Sequence, residues 1–226
     1  MNHLQQEQKP MPSLFDQAII LAVQAHAGMR RKGSDTPYIV HPMEAAAIAA
    51  SMTNDPEILA AAVLHDVVED TDVTLDAIRQ AFGDRVAAIV SSESEDKRED
   101  RPSADTWLER KQETVDHLSR STDEAVKIVA LADKLSNIRA MHRDVLDIGD
   151  ALWARFNQKD KAMHAWYYRA VGQALESLAA HHAYGEYLLL VDQVFGDLHR
   201  EGLTLPFINR KIMRRTFRAV QQRQTQ

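Results

Sequence analysis

The sequence contains 226 residues, of which 45% are hydrophobic and 27% are charged, and its formal net charge is −6 at pH 7. This composition is typical of one globular domain, or of a domain with an appendage, and it excludes wholesale disorder. The negative charge argues against generic binding of nucleic acids and other polyanions. Cysteine is absent, which excludes a disulfide framework and thiolate chemistry.

Apolar runs in the sequence are short. The longest, Ile58 to Leu64, is far below the ~20 residues that a membrane-spanning helix needs. The N-terminal sequence MNHLQQEQKP lacks the apolar core of a signal peptide. Together with the absence of cysteine, which suits a reducing compartment, these features predict a cytoplasmic protein that does not associate with membranes.

The first predicted helix begins near the N-terminus. Ser13 followed by Asp16 is typical of a capping box, and apolar residues then recur at helical spacing. Gly28 is the expected C-cap of this helix. The polar, basic segment 29–37 that follows is predicted to be a loop.

Two start signals that contain proline predict the next helices. Proline is tolerated at the first helical position, so His41–Pro42 is expected to begin a helix that runs through Ala50. Asp55–Pro56 repeats this signal and opens a strongly apolar helix, predicted to continue to about Asp70. Helical spacing of apolar residues marks a further stretch over 75–89.

The second half of the chain continues the helical pattern. Segment 91–105 is charged and aperiodic, which predicts a loop. Further helices are predicted over 107–118, 125–141, 166–178 and 184–198, with an irregular region at 144–165. Because period-two alternation is scarce, the sequence predicts an all-α fold.

The chain after Glu201 contains six basic residues and no acidic residue. Two interpretations are open for this tail. It is either a solvated basic helix or frayed end, or an arm that binds phosphate or acidic groups.

The segment His65–Asp66–Val67–Val68–Glu69–Asp70 is the strongest chemical signal. It places four ionisable groups at the end of an apolar helix. On the predicted helix, His65 and Glu69 are four positions apart and share a face, as do Asp66 and Asp70. Buried carboxylates are costly unless they are paired or bind a cation, and acidic groups at a helix C-terminus oppose its dipole. The alternative is a solvated acidic helix end beside a structural histidine.

Two residues elsewhere complete a candidate ligand set. His41 lies at a predicted helix start, and Asp133 is an acidic residue within the apolar stretch Val129–Leu135. Each has an alternative as an ordinary structural or surface residue. Together with His65 and Asp66 they form a nitrogen and oxygen set suited to Mn, Fe, Co or Zn. Without thiolates, this set does not resemble a structural zinc site.

The spacing of these residues is similar to that of the HD metal-dependent phosphohydrolases. The segments AHAGMRRKGSDTPYIVHP, LHDVVEDTDVTLDAIRQAFG and VALADKLSNIRAM resemble the hydrolase domain of RelA/SpoT-type alarmone enzymes. The resemblance covers residues 14–142 well. It implies a single compact HD-domain helical bundle over 14–198, with an additional C-terminal helical segment or basic tail over 199–226. No segment large enough for an alarmone synthetase follows, so a stand-alone small alarmone hydrolase is expected.

This resemblance also implies roles for the site residues. His41, His65, Asp66 and Asp133 match the family's metal ligands, and the usual ion is Mn(II). Glu69 and Asp70 match its catalytic acidic pair, which would orient and deprotonate water or pass a proton to the leaving group. A bound divalent cation lowers the pKa of water and neutralises phosphate oxygens, which suits this chemistry.

Substrate contacts are implied in the same way. Arg31 and Lys32 in the basic loop match the family's substrate-contacting pair, and Asn137 matches a position near the nucleotide. Lys97 corresponds to a lysine in the loop after the catalytic segment, although SSESEDK departs from the usual threonine-containing pattern here. Tyr167, within an aromatic run, is the expected stacking partner for a purine. Each of these residues could instead belong to a solvated surface or to the core.

Three functions follow as hypotheses. The first is metal-dependent removal of the 3′-pyrophosphate from guanosine or adenosine alarmones, which yields pyrophosphate and a 5′-phosphorylated nucleoside. The second keeps the metal but changes the substrate, as in an NADPH 2′-phosphatase. The third is a nucleotide-binding sensor without activity, which usually has lost a ligand or the acidic pair. In each case the partner is a small nucleotide, and the oligomeric state is left open.

Overall fold

The computed structural model describes residues 11–96, 98 and 100–196, and helices account for most of them. The helices are α1 (Leu14–Ala25), α2 (Val40–Ala50), α3 (Pro56–Leu64), α4 (Val67–Asp70), α5 (Leu75–Phe82), α6 (Asp84–Glu93), α7 (Ser103–Arg120), α8 (Glu124–Ile148), α9 (Lys161–Ala174) and α10 (His182–Phe195). The 3₁₀ segments Gly149–Arg155 and Glu176–Leu178 follow α8 and α9. The described residues contain no strand, which confirms the all-α prediction.

Local capping chemistry explains where several helices begin. At α1, the Asp16 N–H donates to Ser13 Oγ at 3.1 Å and the Ser13 N–H donates to Asp16 Oδ2 at 2.9 Å, which completes the predicted capping box. Asp55, Asp123 and Asp160 each accept a backbone N–H with the side chain, at the starts of α3, α8 and α9. Such caps contribute about 1 kcal/mol each, so these starts are encoded locally.

The long helix α8 lies at the centre of the fold. It packs against α2, α3, α6 and α10, and its buried face is apolar except for Asp133 and Ser136. A buried carboxylate and a buried hydroxyl need hydrogen-bonding partners, because desolvating them without compensation is costly. The partners come from α2 and from the end of α3, and this is where the candidate site forms.

The prediction of one continuous helix from Pro56 to Asp70 is wrong, because the helix is interrupted at His65–Asp66. Helix α3 ends at Leu64, and the short helix α4 begins at Val67. Both residues at the break keep right-handed backbone angles, but the ψ of Asp66 is −7° instead of the helical value. The apolar periodicity does not register this departure, because it leaves the spacing of the buried side chains almost unchanged.

Other helix boundaries also differ from the sequence prediction. Helix α6 extends to Glu93 and α7 begins at Ser103, so the predicted loop over 91–105 is shorter at both ends. The region expected to be irregular, 144–165, holds the end of α8, a 3₁₀ segment and the start of α9. Gly149, with φ of 58°, ends α8 in a conformation that favours glycine.

Two of the sequence predictions concern residues that the structure does not describe. The basic tail over 199–226 lies outside the described residues, and so does Lys97. In the part of the chain that is described, every helix is too short or too polar to cross a bilayer.

A buried histidine in the C-terminal half predicts a pH-dependent stability. His164 is packed among Trp107, Trp153 and Phe156 with ring-centroid distances of 5.0–5.4 Å, and its Nε2–H donates to the Gln158 carbonyl at 2.8 Å. Burial lowers the pKa of His164 below its ordinary value. His164 is therefore protonated near pH 6.5 in the unfolded chain, but only at a lower pH in the folded protein. The free energy of unfolding consequently decreases as the pH drops below about 6.5.

As the pH falls below about 6.5, we expect the free energy of unfolding to decrease more for the wild type than for His164→Phe. The difference should grow by up to about 1.4 kcal/mol per pH unit, until the pH reaches the pKa of His164 in the folded protein. Urea unfolding at two pH values, with chelator present, measures this difference. The exposed His182 provides the control, as His182→Gln should keep the wild-type pH dependence. Parallel pH profiles for the wild type and His164→Phe would contradict the prediction.

Candidate metal centre and active site

Four side chains from three places in the chain lie close together, and three of them (His41, His65 and Asp133) form one compact group of possible metal ligands. His41 Nε2 lies 3.3 Å from His65 Nε2, 3.4 Å from Asp66 Oδ2 and 3.1 Å from Asp133 Oδ1. His65 Nε2 lies 3.2 Å from Asp66 Oδ2 and 3.5 Å from Asp133 Oδ1. Donors that share one ion at about 2.1 Å lie roughly 3.0–3.4 Å apart. The donor atoms of His41, His65 and Asp133 lie close enough together to hold one divalent cation, and Asp66 Oδ2 lies within 3.4 Å of both imidazoles.

The outer nitrogen of each imidazole has a fixed partner. His65 Nδ1 is 2.8 Å from the Ala62 carbonyl, an obligate acceptor, so Nδ1 carries the proton. His41 Nδ1 is 2.8 Å from Ser136 Oγ, whose own proton goes to Glu44 Oε2 at 2.8 Å. The hydroxyl therefore accepts from His41. Both imidazoles are oriented with Nε2 toward the carboxylates, which is the arrangement of metal-ligating histidines.

The charges at this point are strongly coupled. Burial opposes ionisation of Asp66 and Asp133, but neighbouring positive groups hold the pKa of each carboxyl well below its usual range. His65 feels the converse, because burial lowers its pKa while the adjacent carboxylates raise it well above the ordinary value. The buried carboxylate of Asp133 and the partly buried carboxylate of Asp66, beside two imidazoles, attract positive charge, and a divalent cation would supply it.

A buried cation lies behind Asp133. Lys134 donates to Asp133 Oδ2, and its own pKa is well above the ordinary value because Asp133, Tyr167 and Glu93 outweigh the cost of burial. Glu93, at the end of α6, has its pKa raised to about 7, mainly by burial. Lys134 therefore offsets negative charge on the far side of Asp133 and leaves Oδ1 directed toward the histidines.

Of the acidic pair that follows the break, Asp70 is linked to the candidate ligands through Tyr38. Tyr38 Oη is 2.7 Å from both Asp66 Oδ2 and Asp70 Oδ2, so one hydroxyl joins a candidate ligand to a candidate catalytic carboxylate. Burial and these two carboxylates raise the pKa of Tyr38, which keeps the hydroxyl protonated as a donor. Glu69 Oε2 accepts the backbone N–H of Glu95 at 3.4 Å. The two carboxylates are thus held from different sides.

The basic loop is connected to the same cluster. Arg31 Nη2 donates to Asn137 Oδ1 at 2.7 Å, and Asn137 Nδ2 donates to Asp133 Oδ1 at 2.6 Å. The predicted residues Arg31 and Asn137 are therefore brought together one step from Asp133. Lys32 is exposed on the same loop.

Close packing holds the far side of the basic loop. At Gly33 the φ is 77°, and a Cβ built there would lie 2.5 Å from Arg155 Cδ. Only glycine accommodates both the backbone angle and the approach of Arg155. Arg155 in turn donates to Asp144 at 3.2 Å, which ties the loop to the C-terminal end of α8.

Ion pairs to α7 anchor the loop that follows α6. The Glu95 carboxylate accepts from Arg110 at 2.9 Å, from Lys111 at 2.6 Å and from Thr114 at 3.1 Å. This buttress holds the Glu95 backbone N–H in place beside Glu69. Lys97, which the sequence singles out in this loop, lies outside the described residues.

Tyr167 lies in the interior beside this buttress. Its ring packs edge-on to Trp107 and carries the Lys111 ammonium 5.0 Å from its centroid. The ring is 3% exposed, and its hydroxyl is buried without a hydrogen-bond partner. A buried face leaves little room for stacking on a base, whereas the unpartnered hydroxyl is a polar group that a ligand could satisfy.

Several residues of this site escaped the sequence analysis. Tyr38, Ser136, Lys134 and Glu95 all contact candidate functional groups. Ser136 had a local signal, since it follows Asp133 by three positions and so shares its helix face. Tyr38 and Glu95 had none, because their partners are distant in sequence.

Comparisons with known proteins identify a family for this chain. The HD domain family matches residues 18–160. The guanosine-3′,5′-bis(diphosphate) 3′-pyrophosphohydrolase MESH1 of Danio rerio is 38% identical over 130 residues, which are 56% of this chain and 68% of that protein. A protein of Vibrio cholerae with the same enzyme name is 37% identical over 134 residues, 59% of this chain but 19% of that one.

A structural likeness extends further along the chain. The solved structure of a metazoan ortholog of SpoT, described as hydrolyzing ppGpp, superimposes with a TM-score of 0.63. It covers 84% of this chain and 98% of its own at 24% identity, which supports the fold. From the family match and the relatives, the chain belongs to the HD domain family, as a RelA/SpoT-type HD-domain hydrolase.

Proposed function

We propose that this protein is a metal-dependent hydrolase that removes the 3′-pyrophosphate of guanosine or adenosine alarmones. The observation that carries the proposal is the junction at Tyr38, whose hydroxyl lies 2.7 Å from Asp66 in the ligand set and 2.7 Å from Asp70 in the acidic pair. A proton-accepting carboxylate is thereby held beside a cation site, as phosphoryl hydrolysis requires. Relatives that carry the 3′-pyrophosphohydrolase name support the substrate class.

The proposed reaction has a simple balance. Water adds to the 3′-linked phosphorus, the bond between that phosphorus and the ribose 3′ oxygen breaks, and pyrophosphate leaves. One proton of the water passes to a protein carboxylate, and the 3′ oxygen takes up a proton to form the hydroxyl. No oxidant or second substrate is needed.

We propose Mn(II) as the ion, held by His41, His65, Asp66 and Asp133. When bound, a divalent cation lowers the pKa of water and neutralises phosphate charge. Glu69 and Asp70 accept and return the protons, because they directly follow the ligand pair His65–Asp66 in sequence and are held in position by Glu95 and Tyr38. Lys134 keeps Asp133 ionised from behind.

The substrate contacts are proposed from position and charge. Arg31 and Lys32 provide positive charge at the edge of the site for phosphate oxygens, and Asn137 provides an amide next to Asp133. Lys97 is proposed as a further phosphate contact in the loop beside Glu95. For Tyr167 we propose a hydrogen bond from its unpartnered hydroxyl, because its ring is buried.

This assignment includes a domain organisation and a location. We propose that residues 14–198 are the HD domain, whereas the basic segment 199–226 lies outside the described residues and has no assigned role. The protein acts in the cytoplasm on a small nucleotide. A sensor without activity is disfavoured, since the four ligands and the acidic pair are all present.

Release of pyrophosphate tests the proposal. Purified protein is incubated with guanosine or adenosine nucleotides that carry a 3′-pyrophosphate, with Mn(II) or with chelator, and in parallel with NADPH. We expect Mn-dependent pyrophosphate release, and the faster base assigns specificity. Phosphate from NADPH without pyrophosphate from the alarmones would replace this function with a 2′-phosphatase. No turnover of any substrate would overturn the assignment.

The Tyr38 junction yields a separate prediction. Tyr38→Phe removes the one hydroxyl that lies within hydrogen-bonding distance of both Asp66 and Asp70. By analogy with outer-shell partners of metal ligands, we expect kcat at saturating Mn(II) to fall about 10–100-fold. Tyr184→Phe is the matched control, because that buried hydroxyl donates to the Gly172 carbonyl and lies apart from the site. Equal kcat for the two variants would refute a role for the junction.

A further inference from the structure

We propose that Glu44, Arg139 and Glu186 are positioning residues for the metal centre, joined to His41 through Ser136 in one hydrogen-bonded chain. The inference rests on the proposed function, because it concerns the affinity of the same centre for its cation. It assigns a role to α10, which contributes none of the candidate ligands.

The chain is continuous from the ligand to the surface. His41 Nδ1–H donates to Ser136 Oγ at 2.8 Å, and the Ser136 hydroxyl donates to Glu44 Oε2 at 2.8 Å. Arg139 Nη1 donates to Glu44 Oε1 at 3.1 Å. Arg139 also makes a two-pronged pair with Glu186, from Nε at 2.6 Å and from Nη2 at 2.7 Å. Each contact lies within ordinary hydrogen-bonding distance.

Helical spacing explains why these residues form a chain. His41 and Glu44 lie three positions apart on α2, and Ser136 and Arg139 lie three positions apart on α8. Residues at this spacing share a helix face, so the two helices present alternating partners along one seam. Asp133 lies three positions before Ser136 on that same face of α8. One helix therefore supplies both a candidate ligand and the support of another.

The polarity of the chain suits a metal ligand. The Glu44 carboxylate can only accept, so it takes the Ser136 proton and leaves the hydroxyl oxygen to accept from His41. That contact fixes the imidazole with its proton on Nδ1 and leaves Nε2 for the cation. A carboxylate at the end of such a relay also makes the imidazole a stronger donor to the metal.

Arg139 and Glu186 determine where Glu44 lies. The Glu44 side chain is 26% exposed, and it would otherwise have the freedom to turn to water. The planar guanidinium engages Glu186 with two nitrogens and Glu44 with a third, which restricts both carboxylates. Helix α10 is thereby connected to the metal centre through a partly exposed ion pair.

Metal titration of the full-length protein tests the inference. The Kd for Mn(II) is measured by calorimetry for the wild type and for Ser136→Ala, Glu44→Ala, Arg139→Gln and Glu186→Gln. We expect Kd to rise about 10–100-fold for Ser136→Ala and Glu44→Ala. We expect a smaller increase in this Kd for Arg139→Gln and the smallest increase for Glu186→Gln. Because Glu186 lies at the exposed end of the hydrogen-bonded chain, Glu186→Gln should fold even if a substitution at a buried position does not.

Matched controls come from an ion pair of the same kind elsewhere. Arg85 pairs with Glu57 and Asp55 at 2.7 Å on the surface of α6 and α3. Arg85→Gln and Glu57→Gln should leave the Kd for Mn(II) unchanged. Melting temperatures in chelator separate the two kinds of effect, since a merely structural role lowers stability and leaves Kd unchanged.

The outcomes discriminate between the inference and the function beneath it. If the wild type takes up no Mn(II), the proposed metal centre is overturned, and the positioning role of the hydrogen-bonded chain is overturned with it. A wild type that binds Mn(II), with all four variants within twofold of its Kd, would overturn the chain alone. The expected gradient of Kd along the chain, absent in the controls, would support it.

Discussion

Asp133→Asn should abolish metal uptake and turnover together. Asp133 Oδ1 lies 3.1 Å from His41 Nε2 and 3.5 Å from His65 Nε2, and its second oxygen accepts from Lys134. The substitution keeps the shape of the side chain but removes its charge, so the Lys134 ammonium loses its direct carboxylate partner and its positive charge then opposes a cation at the site. We expect the Kd for Mn(II) to rise by at least about 100-fold, more than for an outer-shell change.

Metal content after dialysis and calorimetric titration measure this effect, with kcat/KM for the nucleotide as a second readout. Asp147→Asn is the control, because Asp147 is exposed on the same helix α8. It should retain both metal and activity. Full metal content in Asp133→Asn would remove Asp133 from the ligand set.

Glu69→Gln and Asp70→Asn should separate catalysis from metal binding. Asp70 contacts Tyr38 at 2.7 Å, which links it to Asp66, and Glu69 contacts the Glu95 backbone at 3.4 Å. The amides keep their shape but cannot accept a proton from water. We expect kcat to fall about 10²–10⁴-fold, the range of general acid–base catalysis, while the Kd for Mn(II) stays near the wild-type value.

The same titration and pyrophosphate assay apply to these variants. Asp72→Asn, at the exposed acidic residue just beyond the pair, should be close to wild type in both. Loss of Mn(II) in Glu69→Gln or Asp70→Asn would make that residue a ligand. Unchanged turnover in both would move the proton transfer to another group.

Local sequence patterns predict which segments are helical, and capping residues carry the information about where several of the helices begin. Ser13, Asp55, Asp123 and Asp160 cap helices with their own side chains, so the information lies within a few residues. The break at His65–Asp66 was missed because apolar spacing continues through it. That break matters chemically, since Asp66 lies between two helices and the acidic pair follows in a separate turn.

The candidate ligands illustrate a different limit. The sequence predicts His41, His65, Asp66 and Asp133 as residues of metal-binding type, and the structure groups His41, His65 and Asp133 and places Asp66 beside both histidines. Spacing alone could not show this convergence, because His41 and Asp133 are separated by several helices. The packing of α2 and α3 against α8 creates it.

By itself, the sequence determined the helical class, the residues able to bind a cation and the likeness to a family, because composition, periodicity and short motifs are properties of neighbouring residues. Only the tertiary structure decided which distant groups meet. Tyr38 joins Asp66 to Asp70, and the chain from His41 to Glu186 links three helices. Such contacts depend on how helices pack, and helix packing is set by the whole buried surface instead of by any local pattern.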